Sequence, residues 1–252
     1  MNREQTIERL LEINPQFDVS ETAINLRWAN LREADLREAD LREADLSGAD
    51  LGGADLTKAN LSAANLFGAN LSMTKMSGAR LGEANLAETN LSGANLNGAN
   101  MREADLREAD MSGADMGGAN LREADLTKSN LYEVNLRGAD MSKANLTEAN
   151  LNEANMYGVD LYKTNLSGAD LYGADLTKAN LSGIIGLVHI DFAGFSMYIQ
   201  LEKSKIGYQY RLNAEWEAMT IKQAVKLGIE PEHFEAYRNF YKAAMIFLWG
   251  QK

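Results

Sequence analysis

Large apolar residues recur along this chain with a period of five. A Leu or Met stands at every fifth position from Leu26 to Leu181, which makes 32 repeats without an insertion. Two positions earlier is a small residue, nearly always Ala, and between the two stands Asn or Asp, except at Lys75 and Arg80. An amphipathic helix needs an apolar period of 3.6 and a half-buried strand a period of two, so neither element fits. A short internal repeat of this kind predicts a solenoid.

Each repeat predicts a short extended piece followed by a corner. The Ala and the Leu or Met are two positions apart, so on an extended chain they point to the same side, toward a core. The next two positions are mostly polar, and Gly fills the second of them in 13 repeats, for example at Gly48 and Gly93. Gly tolerates the positive φ that a type II turn requires there.

The pattern, as in Ala34-Asp35-Leu36-Arg37-Glu38, resembles that of the pentapeptide-repeat family. The resemblance covers residues 24–183 and implies an all-β solenoid, a right-handed quadrilateral parallel β-helix with four repeats per coil. The 32 repeats would then form about eight coils. At a strand spacing of about 4.8 Å these make a rod about 38 Å long. Such coils are stabilised by stacking on their neighbours.

The two ends lack the repeat and are predicted to cap the β-helix, because open ends would expose Leu side chains and unpaired backbone groups. Residues 1–23 form an N-terminal helical cap, with an amphipathic helix at 3–13 that Pro15 ends. Residues 184–252 form an α+β unit. Its predicted elements are strands at 195–201 and 206–210 and helices at 213–227 and 231–249. The run 205–210, followed by Glu215-Trp216, is similar to a tail found in some bacterial and phage members.

The last predicted helix carries two apolar stripes, whereas a helix that packs on one surface needs only one. The second stripe either contacts the chain's own predicted hairpin or forms a two-fold homodimer. The candidate dimer contact consists of Phe234, Tyr237, Phe240, Tyr241, Phe247, Leu248 and Trp249.

The charge balance excludes a broad nucleic-acid surface. The chain has a net charge of −11, and the repeats alone hold 24 Asp and Glu against 15 Lys and Arg. Direct nucleic-acid binding is therefore not expected. The acidity either keeps the protein soluble or mimics DNA, as in family members that bind type II topoisomerases. Duplex DNA about 38 Å long would hold about 22 charges, more than twice the net charge of these repeats. The first hypothesis is a non-catalytic protein-interaction scaffold. The alternative is a DNA-mimicking regulator of a type II topoisomerase, DNA gyrase.

All four corner tyrosines appear in the last three predicted coils. The candidate interaction face consists of Tyr132, Tyr157, Tyr162 and Tyr172, because Tyr combines a large apolar area with a polar tip. The alternative is that the C-terminal segment covers these rings. Lys75 and Arg80 either form a local site for an acidic partner or reflect drift at a tolerant outer position.

No residue pattern predicts catalysis. The two histidines, His189 and His233, lie outside the repeats and lack metal-ligand spacing, and the chain has no Cys. The glycines follow the five-residue period rather than a phosphate-binding loop. We therefore expect no enzyme activity, metal or cofactor. The absence of a long apolar run or an apolar leader predicts a cytoplasmic protein that does not enter a membrane.

Overall fold

The computed structural model describes residues 1–20, 24–185, 187–192 and 195–200. Helix α1 (Arg3–Ile13) is followed by strands β1 (Asp18–Val19) and β2 (Ile24–Asn25), then by the repeats, and by strands β3 (Leu187–Phe192) and β4 (Phe195–Gln200). The chain divides into two compact units, and the first, Met1–Phe192 with Ser196–Ile199, holds nearly all the described residues.

The repeats wind into a parallel β-helix in which every coil takes four pentapeptides. Each outward Asn or Asp forms a parallel bridge with the residue twenty positions later, from Asn25 with Asp45 to Asn165 with Ile185. The Asp50 N–H donates to the carbonyl of Ala29 (2.9 Å), and the Leu31 N–H donates to the carbonyl of Asp50 (2.7 Å). The five-residue period thus yields four short parallel ladders, one on each side.

The corners are tight turns that require a left-handed residue. The Ala29 N–H donates to the carbonyl of Leu26 (3.0 Å), and the same hydrogen bond recurs from repeat to repeat. The predicted positive φ at the 13 corner glycines is confirmed, and 19 other residues, mostly Glu and Lys, adopt it too. A residue with a side chain pays about 1 kcal/mol or more for this conformation. Hydrogen bonds to the adjacent coils offset that cost.

Leu and Met side chains fill the interior, as the alternation predicts. Every repeat centre from Leu26 to Leu171 is at most 1% exposed, whereas Leu176 and Leu181 in the last coil are half-buried. Where Thr or Ser replaces the inward Ala, its hydroxyl donates to a backbone carbonyl, as Thr74 does to Leu71 (2.7 Å). The buried polar groups are thereby satisfied.

The outward Asn or Asp holds each corner together. In 30 of the 32 repeats its Oδ1 accepts a hydrogen bond from the N–H two residues later. Asn also donates along the ladder, as Asn70 Nδ2 does to Asp50 Oδ1 (2.8 Å). Lys75 and Arg80 are the two residues at this position that provide no such acceptor.

Helix α1 occupies the first edge of the β-helix. Asn2 and Gln5 form a capping box at its N-terminus. The Asp40 N–H, which has no preceding coil to donate to, donates to Thr6 Oγ1 (2.8 Å). The Arg3 guanidinium donates to the carbonyls of Asp40 (3.2 Å) and Arg42 (2.9 Å). Side chains of α1 therefore satisfy backbone groups that a preceding coil would otherwise pair.

Strand β1 pairs with β2 in an antiparallel register, with Asp18 opposite Asn25 and Val19 opposite Ile24. The open edge of the first coil is therefore also protected on a second side of the β-helix, by this strand pairing.

The strands after the repeats differ in part from the prediction. Strand β4 begins at Phe195 as expected, but it pairs with β3, a segment for which no strand was predicted. The Val, Ile and Phe residues of Leu187–Phe192 are strand formers, so the signal for this strand was present in the sequence. The second predicted strand, 206–210, and both predicted C-terminal helices lie outside the described residues.

Candidate protein-interaction surfaces

The outer surface of the β-helix consists of four corners, each a ladder of residue pairs repeated every twenty positions. The first corner starts at residues 27–28, the second at 32–33, the third at 37–38 and the fourth at 42–43. These corners present the side chains that neither fill the core nor join the ladders. Any partner of the β-helix side must therefore contact the corners and the outward Asn and Asp residues between them.

The four candidate tyrosines lie on three different corners, so they do not form one face. Tyr132 and Tyr172 share the second corner, two coils apart, and are 41% and 51% exposed. Tyr162 is on the fourth corner, with the Lys163 Nζ 5.0 Å from its ring centroid. Tyr157, on the third corner, is half-buried and contacts both the Arg137 guanidinium (5.2 Å) and the Lys178 Nζ (5.1 Å).

The shared corner of Tyr132 and Tyr172 is held in place by hydrogen bonds. The Tyr172 N–H donates to Asn152 Oδ1 (2.8 Å), and Asn152 Nδ2 donates to Asp170 Oδ2 (2.9 Å). Glu133 raises the pKa of the Tyr132 phenol, chiefly through a hydrogen bond to it. The phenol O–H is thereby engaged by the Glu133 carboxylate, and the phenol oxygen can still accept a hydrogen bond from a partner.

Three exposed apolar side chains at corners were not among the sequence candidates. Trp28 and Phe67 lie on the first corner and Met73 on the second, and they are 75%, 43% and 70% exposed. The signal was available in the sequence, because a large apolar residue at a corner position breaks the polar pattern of the other repeats. Exposed Trp is a common anchor residue at protein interfaces.

Many of the charges on the corners neutralise one another. Bidentate pairs join Arg37 to Asp35 (2.6 Å) and Arg107 to Asp105 (2.6 Å). The hydrogen bond from each guanidinium lowers the pKa of its carboxyl below the usual range. On the fourth corner, the Glu123 carboxylate contacts Lys143 (2.8 Å) and Arg122 (3.4 Å). The negative field of the β-helix is thus weaker than its count of carboxylates suggests.

The described residues contain neither a cluster that could bind a metal ion nor a membrane-spanning helix. Within 1–20, 24–185 and the two strands, no group of His, Asp and Glu could hold a metal ion. No helix in this part of the chain is long and apolar enough to cross a bilayer. Only the backbone of His189 is described, and His233 lies outside the described residues. The candidate dimer contact, Phe234, Tyr237, Phe240, Tyr241, Phe247, Leu248 and Trp249, also lies outside them.

A parallel β-helix of five-residue repeats, with its exposed side chains on the outer corners, defines a class of solenoid repeat protein. The family model described as "Pentapeptide repeats" matches residues 22–62, 44–82, 84–122, 104–142 and 144–183. The chain belongs to the pentapeptide repeat family, which confirms the resemblance of its sequence pattern. Members fold as right-handed β-helices and are generally non-catalytic interaction proteins.

Several solved structures are similar to this chain. HetL, a pentapeptide repeat protein involved in heterocyst differentiation regulation from the cyanobacterium Nostoc sp. strain PCC 7120, is 36% identical. The match covers 69% of this chain and 85% of HetL, with a TM-score of 0.32. Rfr23 from the cyanobacterium Cyanothece 51142 is 32% identical over 54% of this chain and 92% of its own, with a TM-score of 0.38.

QnrB1, a plasmid-mediated fluoroquinolone resistance protein, is 19% identical over 78% of this chain and 94% of its own. Its TM-score is 0.54, so it shares the fold with this protein. The sequence matches none of the curated proteins with which it was compared.

Proposed function

We propose that this protein is a non-catalytic protein-interaction scaffold that presents docking side chains on the corners of an acidic β-helix. The observation that carries this proposal is the exposure of large side chains, Tyr132, Tyr172 and Trp28, on a backbone hydrogen-bonded coil by coil. A filled Leu and Met core leaves the corners as the variable part of each repeat. Side chains held this way lose little conformational freedom on binding, which favours affinity.

The second corner is the part of the proposed face that the structure supports best. Tyr132 and Tyr172 are two coils apart, which at the strand spacing is about 10 Å. Each phenol can bury its ring and keep a polar contact with a protein partner. Tyr157 fits this role less well, because its ring already contacts two cations.

Site-specific photocrosslinking tests this proposal. A photoreactive phenylalanine analogue at position 132 or 172, in the organism that carries the gene, should produce discrete covalent adducts with another protein. The matched control is the same analogue at Asn97, an exposed residue of the third corner. Adducts that depend on positions 132 and 172 support the scaffold. Equal or absent adducts at all three positions would exclude docking at the second corner.

The second candidate function is a DNA-mimicking regulator of DNA gyrase. The outward position between the corners carries 13 Asp residues, which favours this candidate. The pairing of Asp35, Asp40 and Asp105 with arginines counts against it, because these pairs remove negative charge from the surface. The scaffold is therefore the preferred function. A cytoplasmic location and a C-terminal homodimer stay predictions from the sequence.

A further inference from the structure

Three neighbouring basic residues of the described part of the chain form no salt bridge, although Lys75 lies beside Asp55 of the preceding coil in the same ladder and interacts with its charge. Residues 1–185 contain 17 Lys and Arg. Three of them are Lys58, Lys75 and Arg80. Each of the other 14 places its side chain against a carboxylate, a backbone carbonyl or an aromatic ring. The contacts are those of Arg3, Arg9, Arg27, Arg32, Arg37, Arg42, Arg102, Arg107, Arg122, Lys128, Arg137, Lys143, Lys163 and Lys178.

The three residues form a cluster on the third corner. Lys75 and Arg80 lie in the same coil, on the two sides that meet at Ser77-Gly78. Lys58 belongs to the preceding coil of this corner, and its Cγ is 3.6 Å from the point that a Gly78 side chain would occupy. The stem of Lys58 thus lies over Gly78, at the corner between the sides that carry Lys75 and Arg80. All three residues are exposed.

Lys75 and Arg80 are costly for the fold at these positions. In the other 30 repeats the residue there accepts a hydrogen bond from the N–H two positions later, but the N–H groups of Ser77 and Gly82 have no such acceptor in this part of the structure. Each lost hydrogen bond reduces stability, and two such losses in adjacent repeats indicate a role other than folding.

We infer that Lys58, Lys75 and Arg80 form a docking site for a short acidic segment of a protein partner. This inference rests on the proposed scaffold function and adds the chemistry of one contact. The cluster spans two coils, about 5 Å along the stack, which suits two or three carboxylates. The Arg80 guanidinium can bind one carboxylate through two parallel hydrogen bonds.

The surroundings of the cluster set its selectivity. Arg80 and Lys58 line an open groove of about 400 Å³, together with Met1, Arg42, Asn60 and the carboxylates of Glu38 and Asp40. A long polyanion such as nucleic acid would extend from this groove onto the ladders of Asp, where repulsion opposes binding. A short peptide with few carboxylates can be confined to the cluster.

Fluorescence anisotropy with a labelled hexaglutamate peptide tests the inference on the full chain at low salt. The variant K58Q/K75N/R80N removes the cluster and restores Asn, the residue of the other repeats, at two positions, so the fold is retained. We expect the peptide to bind the wild type and to bind the variant roughly tenfold more weakly. The matched control R107Q/K128Q/K143Q removes three paired cations and the same total charge. We expect it to bind within about twofold of the wild type.

Failure of hexaglutamate to bind the wild type, or equal weakening by the two triple variants, would overturn the inference. Tighter binding of a six-nucleotide DNA strand than of hexaglutamate would also overturn it. Crosslinking at positions 132 and 172 does not involve the third corner. Adducts there, combined with failure of the peptide, would therefore leave the scaffold function standing and remove only this docking site.

Discussion

The indole ring of Trp28 lies over Gly48, in the space that a side chain at residue 48 would occupy. Both residues are on the first corner, one coil apart, and both have positive φ. The missing side chain of Gly48 therefore permits the largest exposed side chain of the β-helix to lie along the surface. Met73 lies over Gly93 on the second corner in the same way. A Gly in one coil thus determines the position of an exposed apolar residue in the preceding coil.

This relationship predicts different effects for two glycine substitutions. G98A should cost about 1 kcal/mol, because residue 98 has positive φ (65°) but nothing lies within 4 Å of the added methyl group. G48A meets the same backbone cost and must also displace the Trp28 ring. We expect a larger loss of stability for G48A, measured by thermal unfolding. In a W216F/W249F background, Trp28 fluorescence should change for G48A and not for G98A. Equal behaviour of the two variants would contradict the contact.

Substitution of a core residue should distinguish inward from outward positions. Leu96 is fully buried in the middle of the β-helix. L96D buries an unpaired charge and should destabilise the protein by more than about 4 kcal/mol or prevent folding. L96M should cost less than about 1.5 kcal/mol, because Met is the centre of six other repeats. Circular dichroism with thermal or urea unfolding measures both. A parent-like transition for L96D would refute the inward assignment.

The arginine–aspartate pairs predict a stability that falls in acid. Hydrogen bonds from Arg37, Arg42 and Arg107 lower the pKa of the Asp35, Asp40 and Asp105 carboxyls. A carboxyl with a lowered folded-state pKa stabilises the fold above its unfolded pKa of about 3.9, and this contribution is lost as the pH falls through the folded pKa. The melting temperature should be nearly constant from about pH 7 to 5 and should fall below about pH 4.

A pair of variants tests the cause of this acid sensitivity. D105N and R107Q each remove one pair, so each should reduce the loss of stability between about pH 5 and 3. The change should be below about 1 kcal/mol, because both side chains are partly exposed. An unchanged acid response in both variants would show that this pair does not contribute.

The protein is not expected to inhibit DNA gyrase. The net charge of the repeats is less than half that of duplex DNA of similar length. A supercoiling assay with the protein in molar excess should show no inhibition. Inhibition that weakens steeply as salt is added would favour the DNA-mimicking regulator instead.

The apolar stripes at 231–249 predict a dimer. F240E/F247E should yield a monomer that keeps the β-helix, since the coils stack independently of this contact. Light scattering should give about twice the 27.7 kDa chain mass for the parent and the chain mass for the variant. A parent of single-chain mass would show that the second stripe is satisfied within one chain, and the dimer would be withdrawn.

The sequence alone determined the repeat, its inward residues and its corners. Leu96 and its equivalents could be assigned to the core because each lies two positions after a small residue, on the same side of an extended chain, in all 32 repeats. The glycines revealed the left-handed corner position, since residues with positive φ are otherwise rare.

Only the tertiary structure decided which side chains are neighbours and which are paired. Four repeats per coil, as the family resemblance implies, already place Tyr132, Tyr157 and Tyr162 on different corners, but only the structure shows that two cations contact the ring of Tyr157. The same coil-to-coil contacts place Lys58 at the corner between Lys75 and Arg80, and none of the three forms a salt bridge with a described residue. Ion pairs join residues two positions apart in some repeats and eighteen to twenty apart in others, and which of them forms depends on side-chain rotamers. The five-residue pattern holds no information about those rotamers, because it is the same in every repeat.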